Sequence, residues 1–391
     1  MLEADFKYIL DTFFTLFAMV LIILMVPGFA MLEAGLVRTK NVSAVLTINV
    51  MIYAVASLAF LLVGYKLAFG SWENLNQSIW AFFMFQMAFV GKTVNIMSGG
   101  VSERVRIIPL AIFTVVMGAV IYPLVVNVCW GADMIKGTML DIEMYDLAGS
   151  TVIHSTGGWA LLAAIMIIGP RKGRYQDGKI KVIPASNIPL VVLGALLLWI
   201  GWFGFNGGSV GSISSIEKAD LVAKTIMNTN TAGLAGAIIA GIIMYMRYKL
   251  LDITMILNGA LGGLVAITAG PDLYDAYTPI LIGLVGGALV VFAVPVFDKF
   301  KLDDPVGALS VHLVNGIWGT LAVGIFADSV SFAAQLKGVV LVGIFAFTVS
   351  YIVLYIINKI SAFRASDDNQ VEGMDVNECG VESYPEFRRA I

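Results

Sequence analysis

Charge is scarce in this chain. Lysine, arginine, aspartate and glutamate make up 13% of its 391 residues, against about a quarter in soluble domains. Histidine is scarcer still, with two in the whole sequence, His154 and His312. The two cysteines are Cys129, at the end of an apolar run, and Cys379, in the polar carboxyl-terminal stretch; they exclude a disulfide framework and a zinc-finger spacing. Two imidazoles without a nearby carboxylate or thiolate fall short of the three or four ligands zinc takes, so no metal or other cofactor is expected. There is no nucleophile–base set, which argues against a membrane enzyme. The net charge of −3 comes without a basic patch suited to nucleic acid.

What is abundant is apolar surface. Hydrophobic residues make up 59% of the chain and mean hydropathy is +0.89, the composition of an all-α polytopic membrane protein. Forty glycines lie within the apolar stretches, as expected where helices pack closely in lipid. Apolar runs fall at about 8–34, 42–68, 77–98, 105–130, 149–169, 186–206, 221–247, 253–269, 277–298, 307–326 and 334–361. Each spans a hydrocarbon core of ~30 Å at 1.5 Å per residue, predicting eleven transmembrane helices. The first begins near Tyr8 with no basic region before it and far exceeds a signal-peptide core, so it is expected to be retained.

Basic residues set an orientation. Arg38 and Lys40, Arg104 and Arg106, the cluster from Arg171 to Lys181, Arg247 and Lys249, Lys299 and Lys301, and Lys359 with Arg364 fall on one side. The alternate loops are acidic, with Asp133, Asp141, Glu143 and Asp146 in one and Asp272 and Asp275 in another. The positive-inside rule then puts the amino end outside and the carboxyl end in the cytoplasm. Helices 1–5 and 6–10 form two five-helix halves. Because five is odd, the halves are inverted repeats, and the eleventh helix is extra. Residues 1–362 read as the transmembrane domain and 363–391 as an acidic cytoplasmic tail. That tail either is solvated and partly disordered, or docks its acidic stretch and Arg388–Arg389 on the basic loops.

The histidines repeat with their surroundings. Asp146 stands eight residues before His154 in DLAGSTVIH, and Asp304 eight before His312 in DPVGALSVH. Asp146 is a plausible N-cap. Asp304, with Pro305 at the first helical position, is a stronger one. Eight residues of helix cover about 12 Å, so two histidines entering a ~30 Å core from opposite faces end about 6 Å apart along its axis. If both face the bundle axis their rings touch near the midplane. Burial favours neutral imidazole, and each neutral ring offers one donor and one acceptor. A matched pair therefore suits a small hydrogen-bonding solute or a relayed proton. The plainer alternative is two core histidines bonded to backbone carbonyls. No carboxylate is expected mid-helix beside the pair, which is read as the bore's only polar lining. Three aromatic segments accompany it: Phe85 and Phe89 four apart on one helix face, Trp130 ending the fourth helix, and Trp199, Trp202, Phe203, Phe205, Asn206 and Ser209 crowding the end of the sixth. Any one of these rings also fits an interfacial belt.

Together, PGFAMLEAGLVRTKN, FQMAF, SGGVSERVR, DLAGSTVIH, WIGWFGFNGGS, NTNTAG and VHLVNGIWGTLAVGIF resemble the Amt/Mep/Rh ammonium transporter family, in its Amt branch, over nearly the whole chain. The resemblance implies that Phe89 and Phe205 are two stacked rings blocking the outer pore mouth and that Trp130 and Ser209 recruit ammonium there. It implies that His154 and His312 are the twin pore histidines and that the buried Asp146 orders the outer region. Thr268 is a weaker match for an outer-site hydroxyl. A homotrimer in the cell membrane and a cytoplasmic PII-type (GlnK) regulator are implied as well. The departures are Ser150 in place of a common glycine, a short acidic loop between Trp130 and Asp146, and Lys92, which is expected to snorkel from the third helix.

These residues predict a mechanism. An ammonium ion is drawn by the acidic loop and by aromatic faces, a cation–π attraction of ~0.5–2 kcal/mol. A bare cation in a narrow apolar bore is prohibitive, so the ion loses its proton near the gate and crosses as ammonia. The proton is either lost outside, which makes transport neutral, or relayed by the histidine pair, which makes it electrogenic; a paired-imidazole relay favours the second. Potassium has no proton to give up and finds no ring of oxygens. The competing readings are a passive channel for water, glycerol or urea, and an ammonium sensor, which a long fused cytoplasmic domain would favour.

Overall fold

The computed structural model describes residues 2–73 and 76–387, and among them helix dominates. Among the described residues ten helices are long and apolar enough to cross a membrane. They are α1 (Glu3–Leu36), α2 (Thr39–Phe69), α3 (Ile79–Val101), α4 (Ile107–Cys129), α5 (Ser150–Ile168), α6 (Ile188–Gly208), α7 (Ile216–Tyr248), α9 (Thr278–Lys299), α10 (Leu309–Phe326) and α11 (Phe332–Ile360). Between α7 and α9 lies α8 (Ile253–Ile267), apolar but only 15 residues long, about 22 Å at the helical rise. Each matches an expected run to within a few residues, except that α1 begins earlier, at Glu3, and α7 at Ile216. A turn at Leu24 interrupts α1, because Pro27 cannot donate to the carbonyl of residue 23.

Small residues bring the helices together. A Cβ on Gly236 of α7 would lie 2.3 Å from the carbonyl oxygen of Gly259 on α8, so the two backbones touch as glycine-rich helices in lipid do. Lys92 departs from expectation. It does not snorkel but is 1% exposed, its Nζ has no hydrogen-bond partner among the described residues, and it stands 5.4 Å from the centre of the Tyr53 ring.

The basic loops converge on one face. Arg38 donates through Nε and Nη2 to Glu103. Arg171 donates from its backbone N, Nε and Nη2 to Asp303 and lies 3.4 Å from Glu103. Arg104 donates to the carbonyls of Ser102, Gly169 and Asp303. This cluster ties four inter-helix loops, and Glu103 is held in it at φ 66°, a conformation that non-glycine residues seldom adopt. Burial alone would raise the Asp303 carboxyl. The Arg171 hydrogen bonds and the Arg104 and Arg171 charges outweigh it and bring the group down to about 2.

The carboxyl-terminal segment docks on this same face. Lys40 Nζ donates to the Gln370 and Val371 carbonyls. Asp375 Oδ1 accepts the Ala44 amide of α2 at 2.8 Å, and Glu378 Oε2 accepts the Ile107 amide of α4 at 2.9 Å. Two tail carboxylates thus sit on the starts of α2 and α4, where helix dipoles favour negative charge. Arg388–Arg389 lie outside the described residues.

The Asp303 contribution to stability is present above the ordinary carboxylate pKa of ~4 and is lost as pH falls through about 2. Asp303→Asn at pH 7 removes the nearer of the two buried carboxylates that face Arg171, leaving Glu103 at 3.4 Å, and is expected to cost about 3 kcal/mol. Thermal unfolding in detergent reads this; an unchanged midpoint contradicts it.

Candidate functional site

The two aspartate–histidine segments fold alike. Asp146 Oδ1 accepts the amides of Gly149 and Ser150, and Oδ2 those of Thr151 and Val152, all at 2.8–3.0 Å. Asp304 accepts the amides of Val306, Gly307 and Leu309. Three residues after each aspartate the chain turns through a glycine at positive φ, Gly149 at 107° and Gly307 at 82°, which only glycine adopts freely. Both helices then open on a π-helical turn, Ser150–Ser155 and Leu309–Val314, and each turn carries its histidine. The aspartates therefore cap from outside the helix, and Pro305 lies in the preceding bend, not at the first helical position. Burial pushes the Asp146 carboxyl up, the four amides pull it back, and the balance is about 6.

The segments enter from opposite ends. Asp146 lies at the vestibule end, where its carbonyl accepts Trp130 Nε1 at 2.7 Å. Asp304 adjoins the ionic cluster of Asp303 and Arg171. The histidines meet between them, with His312 Nδ1 3.1 Å from His154 Nδ1, ring centroids 5.2 Å apart and planes inclined by 19°. The pair is hydrogen-bonded to itself, not to backbone carbonyls. One hydrogen lies between the two Nδ1 atoms, so the rings hold opposite tautomers when neutral. His154 Nε2 is buried without a partner among the described residues.

A column of rings continues from this pair. His154 stacks on Trp202 at 5.1 Å and on Phe205 at 5.4 Å. Phe205 meets Phe89 at 4.6 Å with planes at 67°, and Phe89 meets Phe85 at 4.6 Å. Phe89 and Phe205 are therefore edge to face, not stacked as expected, an arrangement their quadrupoles prefer. On the far side, Phe29 lies 6.0 Å from His312. Trp202 is fully buried, so it is not an interfacial belt residue.

Cavities lie at both ends of the column. The vestibule, about 210 Å³, is lined by Phe85, Phe89, Trp130 and Ser209, with Gln86 and Thr15 among others. Ser209 Oγ donates to the Phe205 carbonyl at 2.8 Å, which commits its hydrogen and leaves oxygen lone pairs free to accept. Gln86 Oε1 has no partner among the described residues; its place between the two phenylalanines of FQMAF was the available signal. Thr268 does not line this space. Its hydroxyl donates to the Leu264 carbonyl and accepts Trp202 Nε1 at 2.8 Å, so it braces the ring stacked on His154. Ser150 donates to the Val265 carbonyl of α8.

The inner cavity is about 20 Å³ and is lined by His312, Asn258 and Glu33 among others. Glu33 corrects the expectation that no carboxylate stands beside the histidines and that they are the only polar lining. It was legible as an acid inside an apolar run, in FAMLEAG.

Comparison with known proteins places this geometry among relatives. A model of the Ammonium Transporter Family matches residues 13–384. An archaeal protein described as Ammonium transporter Amt2, from Archaeoglobus fulgidus, is 34% identical over 94% of this chain and 86% of its own length. Among solved structures, one titled Sensor Amt Protein superposes with a TM-score of 0.89 at 30% identity, covering 96% of this chain and 99% of that one. Mep2 of Saccharomyces cerevisiae superposes at 0.82 with 26% identity, covering 93% and 89%.

Asp146→Asn offers one acceptor oxygen to four buried amides and turns an amino group toward the others. It is expected to cost at least about 3 kcal/mol and to abolish uptake of methylammonium. Thermal unfolding together with uptake into proteoliposomes measures both, and a wild-type midpoint contradicts the assignment.

Proposed function

The chain belongs to the ammonium transporter family, and from that premise we propose that it recruits ammonium at the aromatic vestibule, deprotonates it at the phenylalanine gate and conducts ammonia past the twin histidines with net transfer of a proton. Family membership makes it a multi-pass membrane transporter of ammonium; the steps are our reading. The observation that carries them is the 3.1 Å contact between the chain's two histidines directly beneath the Phe205 ring.

Recruitment rests on the Trp130 and Phe89 faces, whose centroids lie 6.3 Å apart, and on two oxygens free to accept, Ser209 Oγ and Gln86 Oε1. Cation–π attraction of ~0.5–2 kcal/mol concentrates the ion without holding it fast. Below the vestibule, Phe205 is fully buried and offers no hydrogen-bond acceptor, so a hydrated cation loses its shell there for no return. Ammonia, uncharged and small, loses far less. His154 Nε2 then supplies the hydrogen-bonding position that a passing ammonia needs. The shared Nδ1 hydrogen gives a proton a path in which each ring gains one hydrogen as it passes one on.

The same reading sets the vestibule outside the cell and the carboxyl terminus in the cytoplasm, since the basic loops gather at the opposite face. Eleven spans then follow if α8 counts as one, with α1–α5 and α6–α10 inverted. The resemblance further supports a homotrimer whose cytoplasmic face is closed by a PII-type regulator.

Purified protein in planar bilayers and proteoliposomes tests the mechanism. An ammonium gradient is expected to drive a steady current, and His154→Ala to abolish it. His312→Glu is expected to admit potassium or protons. Sustained ammonia flux with zero current rejects the relay, and a tight His312→Glu pore counts against neutral conduction.

A further inference from the structure

The inner cavity presents a group that neither the gate nor the histidine pair uses. Glu33 lies on α1 one turn before its end at Leu36, is 1% exposed, and shares with His312 a space of about 20 Å³, room for one water-sized molecule. A carboxyl inside a membrane helix is rare, and where it occurs it marks an ion or proton path. Among the described residues Glu33 has no ion-pair partner. Its hydrogen-bond partners, the Asn49 and Ser98 side chains and the Gly99 backbone amide, are neutral. Asn49 Nδ2 donates to Oε2 at 2.8 Å, and Asn49 Oδ1 in turn accepts from Asn95 Nδ2 at 2.8 Å. Gly99 lets α3 close over the group: a Cβ there would lie 3.1 Å from Glu33 Cδ and 2.6 Å from Val306 Cγ2. Of the cavity-lining residues, His312 is the other titratable one. Asp304, at the base of α10, is near enough to act on Glu33 electrostatically, but its oxygens are committed to three amides.

The contacts of Ser98 bear on where a proton sits. Its Oγ lies 2.6 Å from Glu33 Oε1 and 2.6 Å from the Asn95 carbonyl oxygen. A hydroxyl has one hydrogen, and a carbonyl oxygen only accepts. With Glu33 ionised, one hydrogen serves two acceptors, and one of these close contacts joins bare oxygens. With Glu33 protonated, its O–H donates to Ser98, Ser98 donates to Asn95, and both contacts are hydrogen bonds. The geometry is that of a carboxylic acid held ready beside a cavity one molecule wide, directly below the histidine pair.

We propose that Glu33 is the inner proton station of the pore, returning to ammonia below His312 the proton removed at the outer gate. The proposal rests on the ammonia-conducting reading above. In the step, the O–H bond of the Glu33 carboxyl breaks and an N–H bond forms on ammonia in the cavity. Ammonium leaves toward the ionic face, and the carboxylate regains a proton from the relay through His312. The proton stripped from the entering ion thus reappears on the leaving one, with atoms and charge balanced.

Infrared difference spectra of the full chain in proteoliposomes, recorded on adding ammonium chloride at constant pH, test the station directly. The wild type is expected to show a carboxylic C=O band that Glu33→Gln removes. Ser98→Ala, which keeps the acid and deletes its hydrogen-bond partner, is expected to shift that band to higher frequency. Glu33→Gln should also lower the ammonium-driven current about 100-fold, with Glu33→Asp recovering part of it and the unfolding midpoint held. No ammonium-dependent carboxyl band in the wild type, a band that survives Glu33→Gln, or a Glu33→Gln current equal to wild type each overturns the proposal. If Glu33→Gln does not fold, Ser98→Ala decides between the outcomes: a shifted band supports the station and an unshifted band overturns it. Failure of conduction itself shows differently, as a wild type without ammonium uptake or a His154→Ala variant with full uptake.

Discussion

A charged passenger has no partner in the narrow part of this pore. Between the vestibule and the inner cavity stand Phe205 and the stacked His154 ring, both at most 1% exposed. Taking an unpaired ion into such a place is prohibitive, whereas a neutral hydrogen-bonding molecule finds at His154 Nε2 a position without a partner among the described residues. The rest of the molecule serves to keep two imidazoles meeting there. Asp146 and Asp304 gather amides so that each chain segment turns inward, Gly149 and Gly307 permit the turn, and the π-helical starts of α5 and α10 aim the rings at each other. Trp202, braced by Thr268, holds one ring flat.

Much of this was legible in the residues themselves. The apolar runs located the helices because a bilayer imposes its thickness on sequence more strictly than water does. The matched Asp–eight–His spacing located the pair, although by a different path from the expected one. The spacing reads as continuous helix from an aspartate near each surface, whereas half of it is a capping turn and Asp146 is itself buried. Even so the rings meet as that spacing implied, with centroids 5.2 Å apart.

What stayed hidden depends on contacts remote in sequence. Lys92 looks like a snorkelling residue, since nothing local reveals that Tyr53 covers it. Thr268 looks like an outer hydroxyl because its partner Trp202 is 66 residues away. Glu33 is the instructive case. Its apolar neighbours carry it into a hydrophobic run, and only the approach of Asn49, Ser98 and His312 from three other helices turns it into a site. The sequence leaves the tail open between solvated and docked, and its docking depends on the amides of α2 and α4 that Asp375 and Glu378 accept.

The scarcity of histidine makes the central claim open to direct measurement. With two imidazoles in the chain, nitrogen-15 labelling of histidine gives a solid-state NMR spectrum of this pair alone, in bilayers at neutral pH. The account predicts two neutral rings in opposite tautomers, with a nitrogen–nitrogen coupling through the shared Nδ1 hydrogen. Imidazolium nitrogens, or two uncoupled rings in the same tautomer, would contradict it.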